Sequence, residues 1–117
     1  MTRDRVETHR VVDERGALVC VEFAAVPFPV QRAFVVTGPP GGADRGGHPA
    51  PCGEAVLLVS GSATFVVAGS DGTTRELVLD EPGQTLVLNR GEHVDYRLHD
   101  EHSRLLVLAE DPYGTCT

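Results

Sequence analysis

Gly42-Ala43-Asp44-Arg45-Gly46-Gly47-His48-Pro49-Ala50-Pro51-Cys52-Gly53-Glu54-Ala55-Val56-Leu57-Leu58-Val59-Ser60-Gly61 is the stretch from which the rest of the chain is best read. It sets His48 and Glu54 six residues apart, with a glycine six before the histidine and another seven after the glutamate. Side chains alternate faces along a strand, so a strand through this stretch points His48, Ala50, Glu54, Val56 and Leu58 one way. An imidazole and a carboxylate then share the inner wall of a β-barrel with apolar neighbours, which perturb the pKa values of both.

The chain's 117 residues suffice for one domain, 1–117, with a core that needs no staples. Seventeen acidic against ten basic residues leave a net charge of −7, which argues against nucleic acid and anionic membrane as partners. Arg32 and Arg45 can still form a local basic pocket for an anionic ligand. Three cysteines, Cys20, Cys52 and Cys116, are too few and oddly numbered for a disulfide framework and are expected to be reduced. Cys20 lies in an apolar run and reads as a buried thiol, while Cys52 shares the parity of Glu54 and so reads as a pocket residue. The charged N-terminus does not read as a signal peptide, and no apolar run approaches membrane length, so a cytoplasmic setting is expected.

Short β-branched runs recur with turn signals between them, and no long amphipathic helix is legible. HRVV, ALVCVEF, QRAFVVTG, EAVLLVS, SATFVVA, TRELVLD, TLVLN, VDYRLHD and RLLVLAE read as strands. Their spacing, broken by Gly, Asp and Pro, predicts an all-β, mostly antiparallel sandwich or barrel. Ser70-Asp71-Gly72-Thr73 is a hairpin signal, because Asp-Gly accepts the positive φ angles of a tight turn. RLLVLAE is apolar on both faces, which predicts a central strand covered on each side. The glycine- and proline-rich segment 37–47 reads as a flexible surface loop edging the site, and residues 113–117 as a frayed tail.

The spacing G-x5-H-x-H-x3-E-x6-G is the first motif of the cupin barrel; the stretch is similar to it throughout except at the second histidine, which is Ala50. The second motif is read in GQTLVLNRGEHVDYR, where Gly83 and Gly91 fit, Asn89 replaces a proline, and His93 falls one residue early. His48, Glu54 and His93 would suffice as a facial triad for iron or zinc, but the missing ligand and the displaced His93 favour a metal-free site. Parity then poses a choice. If His93 faces inward so do Asp95, Arg97 and His99, and without a bulge His93 and Tyr96 cannot both line the pocket. In the metal-free reading a neutral His48, oriented by Glu54, is a general base for a proton on the carbon next to a carbonyl. His9, His99 and His102 sit among charged residues and read as solvated.

The chain resembles the sugar-nucleotide 3,4-ketoisomerases, small metal-free cupins related to the WxcM-like domain. Asp13-Glu14-Arg15-Gly16 with Leu18, Val19 and Glu22 looks like the family's opening DxRGxLxxxE. Val26-Pro27-Phe28 and Arg32 are similar to its PFxIKRVYY, Arg45-Gly46-Gly47-His48 to its RGxH, and Val107 to Asp111 with Tyr113 to its closing VLAxDxY. The chain departs from the family's RGxHAHK at Ala50 and Pro51, has Ala55 in place of a glutamine, carries Phe34 and Val35 in place of tyrosines, and has Glu92 in place of the tryptophan before His93. The resemblance implies a single RmlC-like jelly-roll barrel and a homodimer whose N-terminal strand crosses to the partner. It also implies conversion of a 4-keto to a 3-keto deoxysugar on a thymidine diphosphate carrier.

The leading expectation is therefore an isomerase-like biosynthetic enzyme acting on a small carbonyl-bearing metabolite. His48 and Glu54 are its catalytic pair; Arg32, Phe34, Arg45, Cys52, His93 and Tyr96 bind substrate; no metal or cofactor takes part. Two alternatives stay open: a recruited isomerase, cyclase or ligand-binding barrel that works mainly by shape, and a metal-dependent cupin oxygenase.

Overall fold

Period-two alternation carries most of the chain into strands. The computed structural model describes residues 5–112. Within them the strands are β1 (Arg5–Val6), β2 (His9–Asp13), β3 (Gly16–Cys20), β4 (Arg32–Thr37), β5 (Ala43–Pro49) and β6 (Glu54–Ser60). After these come β7 (Ala63–Ala68), β8 (Thr74–Leu79), β9 (Thr85–Leu88), β10 (His93–Leu98) and β11 (Arg104–Ala109). A 3₁₀ turn at Phe23–Ala25 is the one helical element described. Every strand pairing is antiparallel.

A five-stranded sheet in the order β1-β9-β6-β11-β4 and a four-stranded sheet in the order β5-β10-β7-β8 make the two walls of a jelly-roll barrel. The all-β cupin fold expected from the sequence is the fold observed. Val56, Leu58, Leu86, Leu105 and Val107 from one wall meet Phe65, Val67, Leu79, Val94 and Leu98 from the other. Burial of each such side chain is worth about 1.5–3 kcal/mol, so alternation on both walls is what holds the barrel closed.

β11 lies between β6 and β4 and is covered on both faces, as its unbroken apolar run requires. Leu105 and Val107 point into the barrel, while Leu106 and Leu108 pack outward against Val26, Phe28 and Val30 from the segment between β3 and β4. The turn between β7 and β8 also forms as read: the Thr73 amide donates to Asp71 Oδ1 at 3.0 Å and Gly72 takes φ +84°.

Two local expectations fail. Residues 43–47, read as part of the 37–47 loop, lie in a strand, because β5 pairs along the free edge of β10. His48 and Glu54 do not share one strand either: β5 ends at Pro49 and β6 begins at Glu54, so they stand on opposite walls. The frayed tail expected at 113–117 lies outside the described residues.

Candidate active site

The two walls enclose a cavity of about 660 Å³, and the local geometry of β5 decides what enters it. Arg45 and His48 are three residues apart, which on a regular strand puts them on opposite faces. A β-bulge changes this. Tyr96 pairs with Arg45, Asp95 with Gly46, and Val94 with His48, which leaves Gly47 as the extra residue. Arg45 and His48 therefore both face the cavity, beside Tyr96 and Val94. Gly46 and Gly47 adopt φ +89° and +80°, a conformation open to glycine. A Cβ at Gly46 would also run into the Val94 carbonyl oxygen and lie 3.2 Å from the Asp95 Cα.

The His48 ring sits at the rim of the cavity and is exposed in the single chain, contrary to the dry interior expected of it. Its Nδ1 lies 2.9 Å from the Pro49 carbonyl oxygen. A carbonyl only accepts, so Nδ1 carries the proton and donates, and in the neutral ring Nε2 keeps its lone pair. Pro49, not Glu54, is thus the group that orients the imidazole.

Residues 50–53 carry the chain from one wall to the other and are pinned throughout. The Ala50 amide donates to the Glu92 carbonyl at 2.7 Å, and the Gly91 amide donates to the Ala50 carbonyl at 2.9 Å. Arg90 donates to the Pro51 carbonyl at 2.6 Å, and the Gly53 amide donates to Glu110 Oε1 at 3.1 Å. This crossing delivers Glu54 to the opposite wall, where it pairs in register with Ala109, whose other neighbour is Arg32. The backbones of Arg32 and Glu54 stand two strand spacings apart, roughly 9–10 Å, on either side of Ala109.

Glu54 is half-buried and faces the cavity. Burial pushes its carboxyl above the usual carboxylate range, against the opposing pull of the Arg32 and His48 charges, and no hydrogen bond contributes. Behind these groups the wall is apolar. Phe65, Leu88, Val56, Leu105 and Val107 form it, and the Phe65 ring stacks on Tyr96 with centroids 4.9 Å apart and planes 9° from parallel. The Arg32 guanidinium lies 5.0 Å from the centroid of the Phe34 ring.

Of the residues singled out from the sequence, His48, Glu54, Arg32, Phe34, Arg45 and Tyr96 meet at this cavity. Cys52 and His93 do not. Cys52 is fully buried beside Ala109 and Phe34, outside the cavity, because it lies in the 50–53 crossing where strand parity has no meaning. It is also disulfide-bonded, which corrects the expectation of reduced thiols, whereas Cys20 is free and only partly buried. His93 faces outward with Asp95, its Nε2 3.3 Å from Asp95 Oδ2, because Val94, Tyr96 and Leu98 take the inner face of β10. The His48, Glu54, His93 triad is therefore not assembled. Among the described residues no three His, Cys, Asp or Glu side chains are grouped to hold a metal ion. His99, read as solvated, is exposed, with the Ser62 and Thr64 hydroxyls 2.7 Å from its two nitrogens. Phe65 and the bulge were missed; the alternation Ala63, Phe65, Val67 and the Gly46-Gly47 pair were the signals for them.

Comparison with solved structures gives the same architecture. The 3,4-ketoisomerase from Helicobacter canadensis superposes with a TM-score of 0.80 at 24% identity, over 97% of this chain and 86% of that one. The sugar 3,4-ketoisomerase QdtA from Thermoanaerobacterium thermosaccharolyticum, solved with TDP, gives 0.81 at 21% identity over 93% and 80%. The TDP-quinovose 3,4-ketoisomerase WlaRB from Campylobacter jejuni gives 0.79 at 24% over 93% and 85%. No curated protein matches the chain. The model of the family described as "FdtA: WxcM-like, C-terminal" matches residues 2–116, and the chain belongs to that family.

Proposed function

We propose that the protein is a metal-free isomerase that moves a proton between the carbons of an enolisable carbonyl compound, with His48 as the base. The observation that carries this reading is the His48 ring at the cavity mouth, its Nδ1–H held by the Pro49 carbonyl so that Nε2 is free to accept. General-base catalysis by a positioned imidazole contributes about 10²–10⁴ in rate. Arg45, on the same wall, and Arg32, on the other, put positive charge where an enolate oxygen would develop. Isomerisation of a hydroxyketone is redox-neutral. A proton leaves one carbon, the carbonyl oxygen gains one, and the reverse pair of transfers completes the shift, so no cofactor is called for.

The structural relatives supply the default substrate. One was solved with TDP-4-keto-6-deoxyglucose bound, and a TDP-linked 4-keto sugar is the compound to try first. The apolar rear wall and the alanine at position 50 favour a second reading, in which the barrel shapes a more hydrophobic ketone or polyene for isomerisation or cyclisation. Incubation of the protein with TDP-4-keto-6-deoxyglucose separates the two. Appearance of the 3-keto isomer supports the sugar reading; no conversion, together with no thermal stabilisation by TDP, supports the recruited one.

A homodimer fits the same reading. β2 and β3 form a two-stranded sheet of their own, a unit of marginal stability by itself. That hairpin exposes Val12 and Leu18 at 63% and 60%, apolar surface that a second copy would cover. Sedimentation at twice the monomer mass checks this.

A further inference from the structure

Ala50 leaves the site with one histidine, yet a 3,4-shift needs protons moved at two oxygens as well as at two carbons. We propose that Glu54 is the second proton-transfer group, working from the opposite wall on the substrate oxygens while His48 works on the carbons. The assignment rests on the isomerase reading above. Glu54 stands on β6 in the five-stranded wall and His48 on β5 in the four-stranded wall, and both line one cavity. They are near enough for the imidazolium charge to act on the carboxyl, but no hydrogen bond joins them, so a substrate can lie between. Among the described residues no hydrogen bond or close ion pair occupies the Glu54 carboxyl, which leaves its oxygens open to a substrate in the cavity. Its raised pKa keeps a larger protonated fraction near neutrality, which suits an acid that must also act as a base.

The steps balance. His48 Nε2 takes the proton from the hydroxyl-bearing carbon, and that C–H electron pair becomes the new carbon–carbon double bond. The Glu54 O–H bond breaks as its proton passes to the carbonyl oxygen, giving an enediol, a Glu54 carboxylate and a His48 imidazolium. The carboxylate then removes the proton of the original hydroxyl while the imidazolium returns its proton to the neighbouring carbon. Both side chains end in their starting forms.

Glu54→Gln separates this role from a structural one. Glutamine can still donate a hydrogen bond to the carbonyl oxygen, so enolisation and solvent exchange survive, but it cannot relay a proton from one oxygen to the other. With TDP-4-keto-6-deoxyglucose in D₂O, Glu54→Gln is expected to keep deuterium wash-in within about 10-fold of wild type and to lose product formation by about 100-fold or more. Glu54→Asp should recover part of the product rate. Equal loss of wash-in and product in Glu54→Gln, or no loss of either, overturns the assignment. Absence of wash-in from the unaltered protein would instead sink the sugar-ketoisomerase reading on which the assignment rests, leaving the two failures distinct.

Discussion

Substituting Gly46 and Gly47 one at a time by alanine probes the bulge that turns Arg45 and His48 to the same face. Both residues take left-handed backbone, φ +89° and +80°, so each substitution carries the cost of an L side chain there, about 1–2 kcal/mol. Their surroundings differ. Around Gly47 the nearest atom to a new Cβ is Asp95 Oδ1 at 3.6 Å, ordinary contact with a half-exposed side chain. At Gly46 the Cβ meets the Val94 carbonyl oxygen and the Asp95 Cα, both backbone atoms of a strand paired on its other edge to β7. Relief requires β5 to move off β10, and overpacking of that kind adds about 1–3 kcal/mol. Gly47→Ala should therefore lose about 1–2 kcal/mol and Gly46→Ala about 2–5 kcal/mol by urea denaturation, with unchanged m-values. Equal losses would show that Gly46 does not pack against β10 in this way, and the positioning of His48 would need another cause.

Other outcomes follow from the site's chemistry. Because the folded carboxyl of Glu54 titrates above its unfolded value of about 4.3, the native state holds more protons in the window between the two and stability falls as pH rises through it. Glu54→Gln should thus melt higher than wild type at pH 8, the difference vanishing below about pH 4 in thermal scans. The Tyr96 hydroxyl makes no hydrogen bond among the described residues, so Tyr96→Phe should shift stability by less than about 0.5 kcal/mol. Tyr96→Leu removes the stack on Phe65 and should cost about 0.5–1.5 kcal/mol beyond lost area, measured by the same denaturation.

The fold was legible wherever burial alone set the pattern. Glu54–Ser60 and Arg104–Ala109 announce themselves because β6 and β11 are covered on both faces and need unbroken apolar runs. β5 was not legible, since ADRGGHP has no β-branched residue and becomes a strand through its pairing with β10. The convergence of His48 and Glu54 on one cavity was read correctly, but by a route the chain does not take. They face each other across the barrel after a crossing at 50–53, instead of lying along one strand. Alternation also misplaced Cys52, which lies in that crossing. On β10 it left His93 against Tyr96 unresolved until the apolar trio of Val94, Tyr96 and Leu98 took the inner face. The bulge escaped because one extra residue reverses parity without altering composition.

His48→Asn keeps a side-chain amide able to donate to the Pro49 carbonyl while removing the Nε2 lone pair. Deuterium wash-in beside the carbonyl of TDP-4-keto-6-deoxyglucose, followed by NMR in D₂O, therefore reads the imidazole's contribution alone. A fall of about 10²-fold or more with the fold intact is expected. Exchange at the unaltered rate would mean that no proton passes through residue 48.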